Sequence, residues 1–294
     1  MNRETVTLTG AEDNRLVADV HGAGGQPVLL LHGGGQTRHA WEGTGERLAA
    51  RGLAAWCLDQ RGHGDSDWVD SGAYQFRDFG RDVVAVCDQI AARSGAMPIG
   101  IGASLGGMAS LLAEGKLRPG TLSALVLVDV TPRMDPAGVH KVISFMADRA
   151  EAGFGTVEEA ADAIARYLPH RKRPERLDGL AKNLRLHDDG RYRWHWDPRF
   201  LGDRRGRPVD PDEGIEESVE DELVRAARSL TIPVLLVRGT RSELVTEAQV
   251  DEFLTMVPHA EYTDVAGAGH MVAGDRNDAF AGAVVTFLDR LRAA

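Results

Sequence analysis

Residues 96–110 read AMPIGIGASLGGMAS, a short apolar run that drives into Gly102-Ala103-Ser104-Leu105-Gly106. This G-x-S-x-G spacing constrains the fold more than any other feature of the chain. A strand that ends on a sharp turn and restarts as a helix forces the turn residue into unfavourable backbone angles. Small residues two places before and after it let the two backbones pass, and Gly102 and Gly106 meet that need. The helix that follows aims its free N–H groups and the positive end of its dipole at the turn residue. Ser104 is therefore a candidate nucleophile, and the Leu105 N–H a candidate donor to an oxyanion formed beside it.

The surrounding segments supply partners for such a serine. Pro27-Val28-Leu29-Leu30-Leu31 is an apolar run of the kind buried in a parallel sheet, and it ends directly in His32-Gly33-Gly34-Gly35. A Gly-rich loop at the carboxyl end of a strand leaves backbone N–H groups bare, and Gly34 is the expected second oxyanion donor. Near the other end of the chain, Ala260-Glu261-Tyr262-Thr263-Asp264-Val265 reads as a strand followed by Ala266-Gly267-Ala268-Gly269-His270. Of ten histidines, His270 is the one held on a tight small-residue loop after a strand, and it is the expected general base.

These motifs, with Asp59-Gln60-Arg61-Gly62-His63-Gly64-Asp65-Ser66 after the fourth strand-like run, resemble the α/β-hydrolase family in order and spacing. The resemblance implies an α/β fold with a mostly parallel eight-stranded sheet flanked by helices. It also implies a serine, histidine and carboxylate triad at the C-terminal ends of the strands. Most of the family draws its acid from the loop after the seventh strand, where Glu243 stands, and some relatives use the end of the sixth, where Asp129 stands. Glu243 is the expected acid and Asp129 the alternative. Relatives that act as haloalkane dehalogenases or epoxide hydrolases carry Asp at the elbow, so Ser104 speaks against both activities.

Strand-like runs recur as far as Ala124-Leu125-Val126-Leu127-Val128-Asp129-Val130 and resume at Pro233-Val234-Leu235-Leu236-Val237-Arg238-Gly239. Between them the pattern is helical and charged, with candidate helices over 139–152, 156–168, 174–186 and 219–229. The division expected is a core of residues 1–132 and 231–294, with a helical cap of residues 133–230 inserted between strands 6 and 7. Such an insertion lies where ligands bind, at the carboxyl edge of an open parallel sheet. Trp194 and Trp196 are two of five tryptophans in the chain. Each could line a substrate pocket or pack the cap on the core, and so could Phe145 and Met146, for which core packing is the commoner role. The basic run His170-Arg171-Lys172-Arg173-Pro174-Glu175-Arg176 could attract an acidic substrate, but a solvated surface loop is the commoner role of such a run.

The formal charge of -10 argues against nucleic acid or an anionic membrane as partner. The polar N-terminal segment and the lack of any long apolar run lead to the expectation of a cytoplasmic protein. Cys57 and Cys87 sit in apolar settings and read as buried free thiols. No metal is expected: the chain has no H-E-x-x-H, and Asp59, His63 and Asp65 are separated by glycines that suggest a turn. The chemistry expected is two-step acyl transfer without a cofactor on a small, largely apolar ester or lactone. Thioester, amide or C–C bond hydrolysis, perhydrolysis, or mere binding of a small molecule by a non-catalytic homologue are the alternatives.

Overall fold

The computed structural model describes residues 3–169, 173, 176–202, 218–270 and 277–293. Eight strands form one sheet: β1 (Arg3–Thr9), β2 (Arg15–His21), β3 (Pro27–Leu31), β4 (Ala54–Asp59), β5 (Ile99–Ala103), β6 (Ala124–Val128), β9 (Val234–Gly239) and β10 (Glu261–Val265). Their spatial order is β1-β2-β4-β3-β5-β6-β9-β10. β1 pairs antiparallel with β2, and β2 antiparallel with β4, whereas every later pairing is parallel. β3, β4, β6 and β9 are buried along their whole length, as strands covered on both faces must be.

Side chains along β3 alternate between two cores. Leu29 and Leu31 enter a cluster that includes Val83 of α2 (Phe76–Ser94), Met108 of α3 (Leu105–Leu112) and Phe253 of α8 (Glu247–Met256). Val28 and Leu30 join Leu48 of α1 (Glu42–Ala49) and Val284 of α9 (Asn277–Ala293) on the opposite face. Cys57 and Cys87 are free and buried, and burial pushes both thiols well above their ordinary range. Among the described residues, no helix is long and apolar enough to cross a membrane.

The chain passes from β3 to β4 on one side and to β5 on the other, so the strand order reverses between β3 and β5. A crevice opens at the carboxyl ends of the strands at such a point. Over it lie α4 (Pro136–Ala147), α5 (Val157–Tyr167), α6 (Asp178–Ala181) and a hairpin of β7 (Leu184–Leu186) and β8 (Tyr192–Trp194). Asp135 caps α4 by accepting from the Ala137 and Gly138 N–H groups ahead of Pro136, and Thr156 caps α5 through the Glu159 N–H. Ser218 caps α7 (Val219–Arg228) in the same way.

The helix expected over 174–186 is not what forms there. Its described part holds only the single turn of α6, after which Leu184 pairs with Trp194 across the hairpin. Gly190, at φ +75°, makes the turn. The reason is tertiary: pairing places Trp194 against Phe154 at 5.1 Å and Phe145 at 6.0 Å, a burial that a continued helix would forgo. Most of the basic run at 170–176 lies outside the described residues; Arg173 pairs with Asp162 and Arg176 with Asp178.

Candidate active site

Ser104 stands between β5 and α3 at φ 45°, ψ -111°, a left-handed backbone that a residue with a side chain adopts only under strain. The flanking glycines are there because nothing larger fits. A Cβ on Gly102 would lie 2.4 Å from the Gly106 backbone, and one on Gly106 would lie 2.5 Å from Leu31. The turn brings the start of α3 against the end of β3, where the loop 32–36 begins.

Two buried histidines hold that loop in shape. His63 accepts from the Gly35 N–H at Nε2 (3.1 Å), and its Nδ1 lies 2.9 Å from the Arg61 carbonyl; that pair of partners makes it the neutral Nδ1–H tautomer. His32 accepts from the Gln60 N–H at 3.1 Å, and the Gln60 amide donates to the His32 carbonyl at 2.6 Å. Burial lowers the pKa of His32, which keeps that ring neutral. The Gly33 N–H is taken by the Gln36 side chain at 3.0 Å. Among the described residues, the N–H groups of Gly34 and Leu105 take no partner. Both residues border one cavity with Ser104 and His270.

His270 Nδ1 lies 2.7 Å from Asp129 Oδ2. Asp129 is wholly buried at the end of β6, at φ 51°, and accepts also from the Gly239 N–H (3.0 Å) and the Ser242 hydroxyl (2.6 Å). Glu243, expected to be the histidine's partner, is held elsewhere. Its carboxylate takes two hydrogen bonds from Lys141 Nζ on α4, at 2.6 and 2.7 Å, and its side chain remains half-exposed. The loop after β9 turns Ser242, rather than Glu243, inward onto Asp129. With a carboxylate on Nδ1, the imidazole has Nε2 left for proton exchange.

The cavity has a volume of about 590 Å³. Phe145, Met146, Trp194 and Trp196 all line it, as do Tyr167, Ile143 and Leu201. Phe145 stacks on Tyr167 at 4.1 Å. Packing and lining therefore coincide: Trp196 is buried against Phe200 and bridges the backbone of His63 while it faces the cavity. Sequence reading missed the role of Phe200, whose ring lies 3.2 Å from where a Gly34 Cβ would be. It also passed over His63 as a loop-holding residue. The alternation of glycines in Arg61-Gly62-His63-Gly64 was the available signal, since a buried ring so flanked must find backbone partners. Asp197, beside Trp196, is anchored by the Tyr74 hydroxyl at 2.6 Å, so the segment following β8 is fastened to the core. No cluster of three or more metal-ligating side chains occurs among the described residues.

Known proteins share this fold. The model of the alpha/beta hydrolase family matches residues 28–283. An esterase of Mycobacterium tuberculosis is 28% identical over 259 residues, 85% of this chain and 78% of the relative. A 2-(acetamidomethylene)succinate hydrolase of Mesorhizobium japonicum is 26% identical over 279 residues, covering 94% of this chain and 92% of the relative. The crystal structure of an E-2-(acetamidomethylene)succinate hydrolase superposes with a TM-score of 0.81 at 22% identity, spanning 98% of this chain and 100% of the other. The sheet order, the strained serine turn and the family match lead to one conclusion: the chain belongs to the alpha/beta hydrolase family.

Proposed function

We propose that this protein is a cofactor-free serine hydrolase that cleaves carboxylic esters or lactones of small, largely apolar molecules through an acyl-enzyme. The observation that carries this reading is the 2.7 Å contact of His270 with buried Asp129, on a cavity that also contains strained Ser104. Ser104 Oγ attacks the substrate carbonyl carbon as its proton passes to His270 Nε2. The negative charge that builds on the carbonyl oxygen is received by the Gly34 and Leu105 N–H groups. Asp129 keeps the imidazole in the Nδ1–H tautomer and stabilises the imidazolium. The intermediate collapses, and the alkoxide leaves with the proton from His270. Water then attacks the acyl-serine carbonyl while His270 takes its proton, and a second collapse releases the acid and restores Ser104.

In this reading α4, α5, α6 and the β7–β8 hairpin are the described part of a cap over 133–230 and shield these steps from water. Apolar lining from Ile143, Phe145, Met146, Trp194 and Trp196 favours a small apolar acyl or ring group. The coverage of the 2-(acetamidomethylene)succinate hydrolase supports a second reading, in which the same triad opens a bond other than a simple ester. The test is turnover of p-nitrophenyl esters of graded chain length by the purified protein. Ser104→Ala is expected to lower kcat by at least about 10^3-fold with the fold intact by circular dichroism. Near-wild-type turnover by that variant would overturn the mechanism.

A further inference from the structure

The charges around the cavity are nearly all compensated. Arg173 pairs with Asp162 at 3.0 Å, Arg176 with Asp178 at 2.7 Å, and Lys182 with Glu42 at 2.6 Å. Glu243 is matched by Lys141. Burial lowers the pKa of His39, which leaves it neutral near pH 7. Arg241 is different: it lines the same cavity, and among the described residues no carboxylate lies within ion-pair distance of it.

Its position is fixed by backbone rather than by its side chain. The Arg241 N–H donates to the Ala268 carbonyl at 2.8 Å, two residues before His270. On either side of it, the Gly239 N–H and the Ser242 hydroxyl both donate to Asp129, the carboxylate that holds His270. The backbone that carries this exposed, uncompensated guanidinium is thus tied to the loop of the candidate general base, and Arg241 lines a chamber whose walls are largely apolar. The chain as a whole carries a formal charge of -10, so an anionic ligand gains nothing from the overall field and depends on a local cation.

Building on the hydrolase reading above, we infer that Arg241 is a specificity-determining residue that selects apolar esters bearing a carboxylate. The guanidinium would receive that carboxylate as a charge-assisted, two-pronged hydrogen-bond acceptor while the apolar chain lies against the cap. Neutral esters would leave the Arg241 guanidinium solvated and gain nothing from it.

Two pairs of substrates locate the carboxylate. Mono-4-nitrophenyl adipate and 4-nitrophenyl hexanoate have equal acyl length and differ by a carboxylate on the acyl chain. The hexanoyl esters of 4-hydroxybenzoate and 4-hydroxybenzamide place the difference on the alcohol side. The wild-type protein is expected to favour the anionic member of one pair by about tenfold in kcat/KM, with the ratio shrinking at high salt. In Arg241→Gln the ratio should fall close to one. Absence of an anionic preference in both pairs, or its survival in Arg241→Gln, would overturn the inference. Failure of the hydrolase reading would look different, as absence of Ser104-dependent turnover of 4-nitrophenyl hexanoate itself. In that event adipate titrated against tryptophan fluorescence supplies the same decision: tighter binding by the wild type than by Arg241→Gln sustains the role of Arg241, and equal binding removes it.

Discussion

Asp129 and Glu243 show how much a carboxylate's setting decides. Asp129 is wholly buried and has three donors at 2.7, 3.0 and 2.6 Å, so its charge is both desolvated and fixed. Such a group must stay paired, because removing its partners would leave an uncompensated buried charge. Glu243 sits on a half-exposed side chain with Lys141, a pairing worth about 0–1 kcal/mol at a surface. Asp129→Asn is therefore expected to lower kcat for ester hydrolysis by about 10^3- to 10^4-fold, and Glu243→Gln to leave it within about twofold. Steady-state kinetics on the two variants decides between them, and a collapse confined to Glu243→Gln would return the role to that residue. Sequence reading ranked them the other way because it judged loops by spacing, and spacing does not reveal which of Ser242 and Glu243 turns inward. A physical clue was present: an acid that ends the continuous apolar run Leu125-Val126-Leu127-Val128 has to be satisfied by something buried.

At the scale of elements, the loop 32–36 is shaped by its neighbour as much as by its own glycines. His63 takes the Gly35 N–H and touches Phe200 with ring centroids 4.9 Å apart, so one side chain links the loop to the segment that follows β8. His63→Ala should free the loop and misplace the Gly34 N–H. The expected cost is about 10- to 100-fold in kcat, somewhat below the loss of a whole oxyanion donor. KM should change much less, and His63→Gln, which keeps an acceptor, should recover part of the rate. Equal losses in kcat for both variants, tracking their melting temperatures, would reduce His63 to a packing residue. The elbow was legible in the sequence because its steric demands fall on two glycines at fixed spacing. The β7–β8 hairpin was not, because its pairing answers to Phe145 and Phe154, which are distant in the chain. The short helix α6 and the strand β7 share a stretch whose local pattern alone read as one helix.

Over the whole molecule, the sheet was readable since parallel strands buried on both faces leave continuous apolar runs, and five such runs stand out between 27 and 239. The same burial sets the response to acid. His32, His39 and His195 all have a pKa lowered chiefly by burial from an ordinary value of 6.5. Below that value the unfolded chain binds protons that the folded chain excludes, so stability is full above about pH 6.5 and declines as pH falls below it. Asp19, lowered against its burial by the Thr5 hydroxyl and then Arg38, and Asp65, lowered against its burial by Arg38, extend the loss only at pH values near and below the usual carboxylate range. The melting temperature should therefore fall steadily from pH 7 to pH 5, and a flat or rising profile in scanning calorimetry would contradict this balance. The central claim, that Ser104 is an activated nucleophile backed by His270 and Asp129, is tested most directly by covalent labelling. Incubation with a fluorophosphonate followed by peptide mass spectrometry should find one phosphonyl group per chain, on Ser104, formed much more slowly in Asp129→Asn and His270→Ala. Labelling elsewhere, or none under conditions where the folded protein is intact, would contradict it.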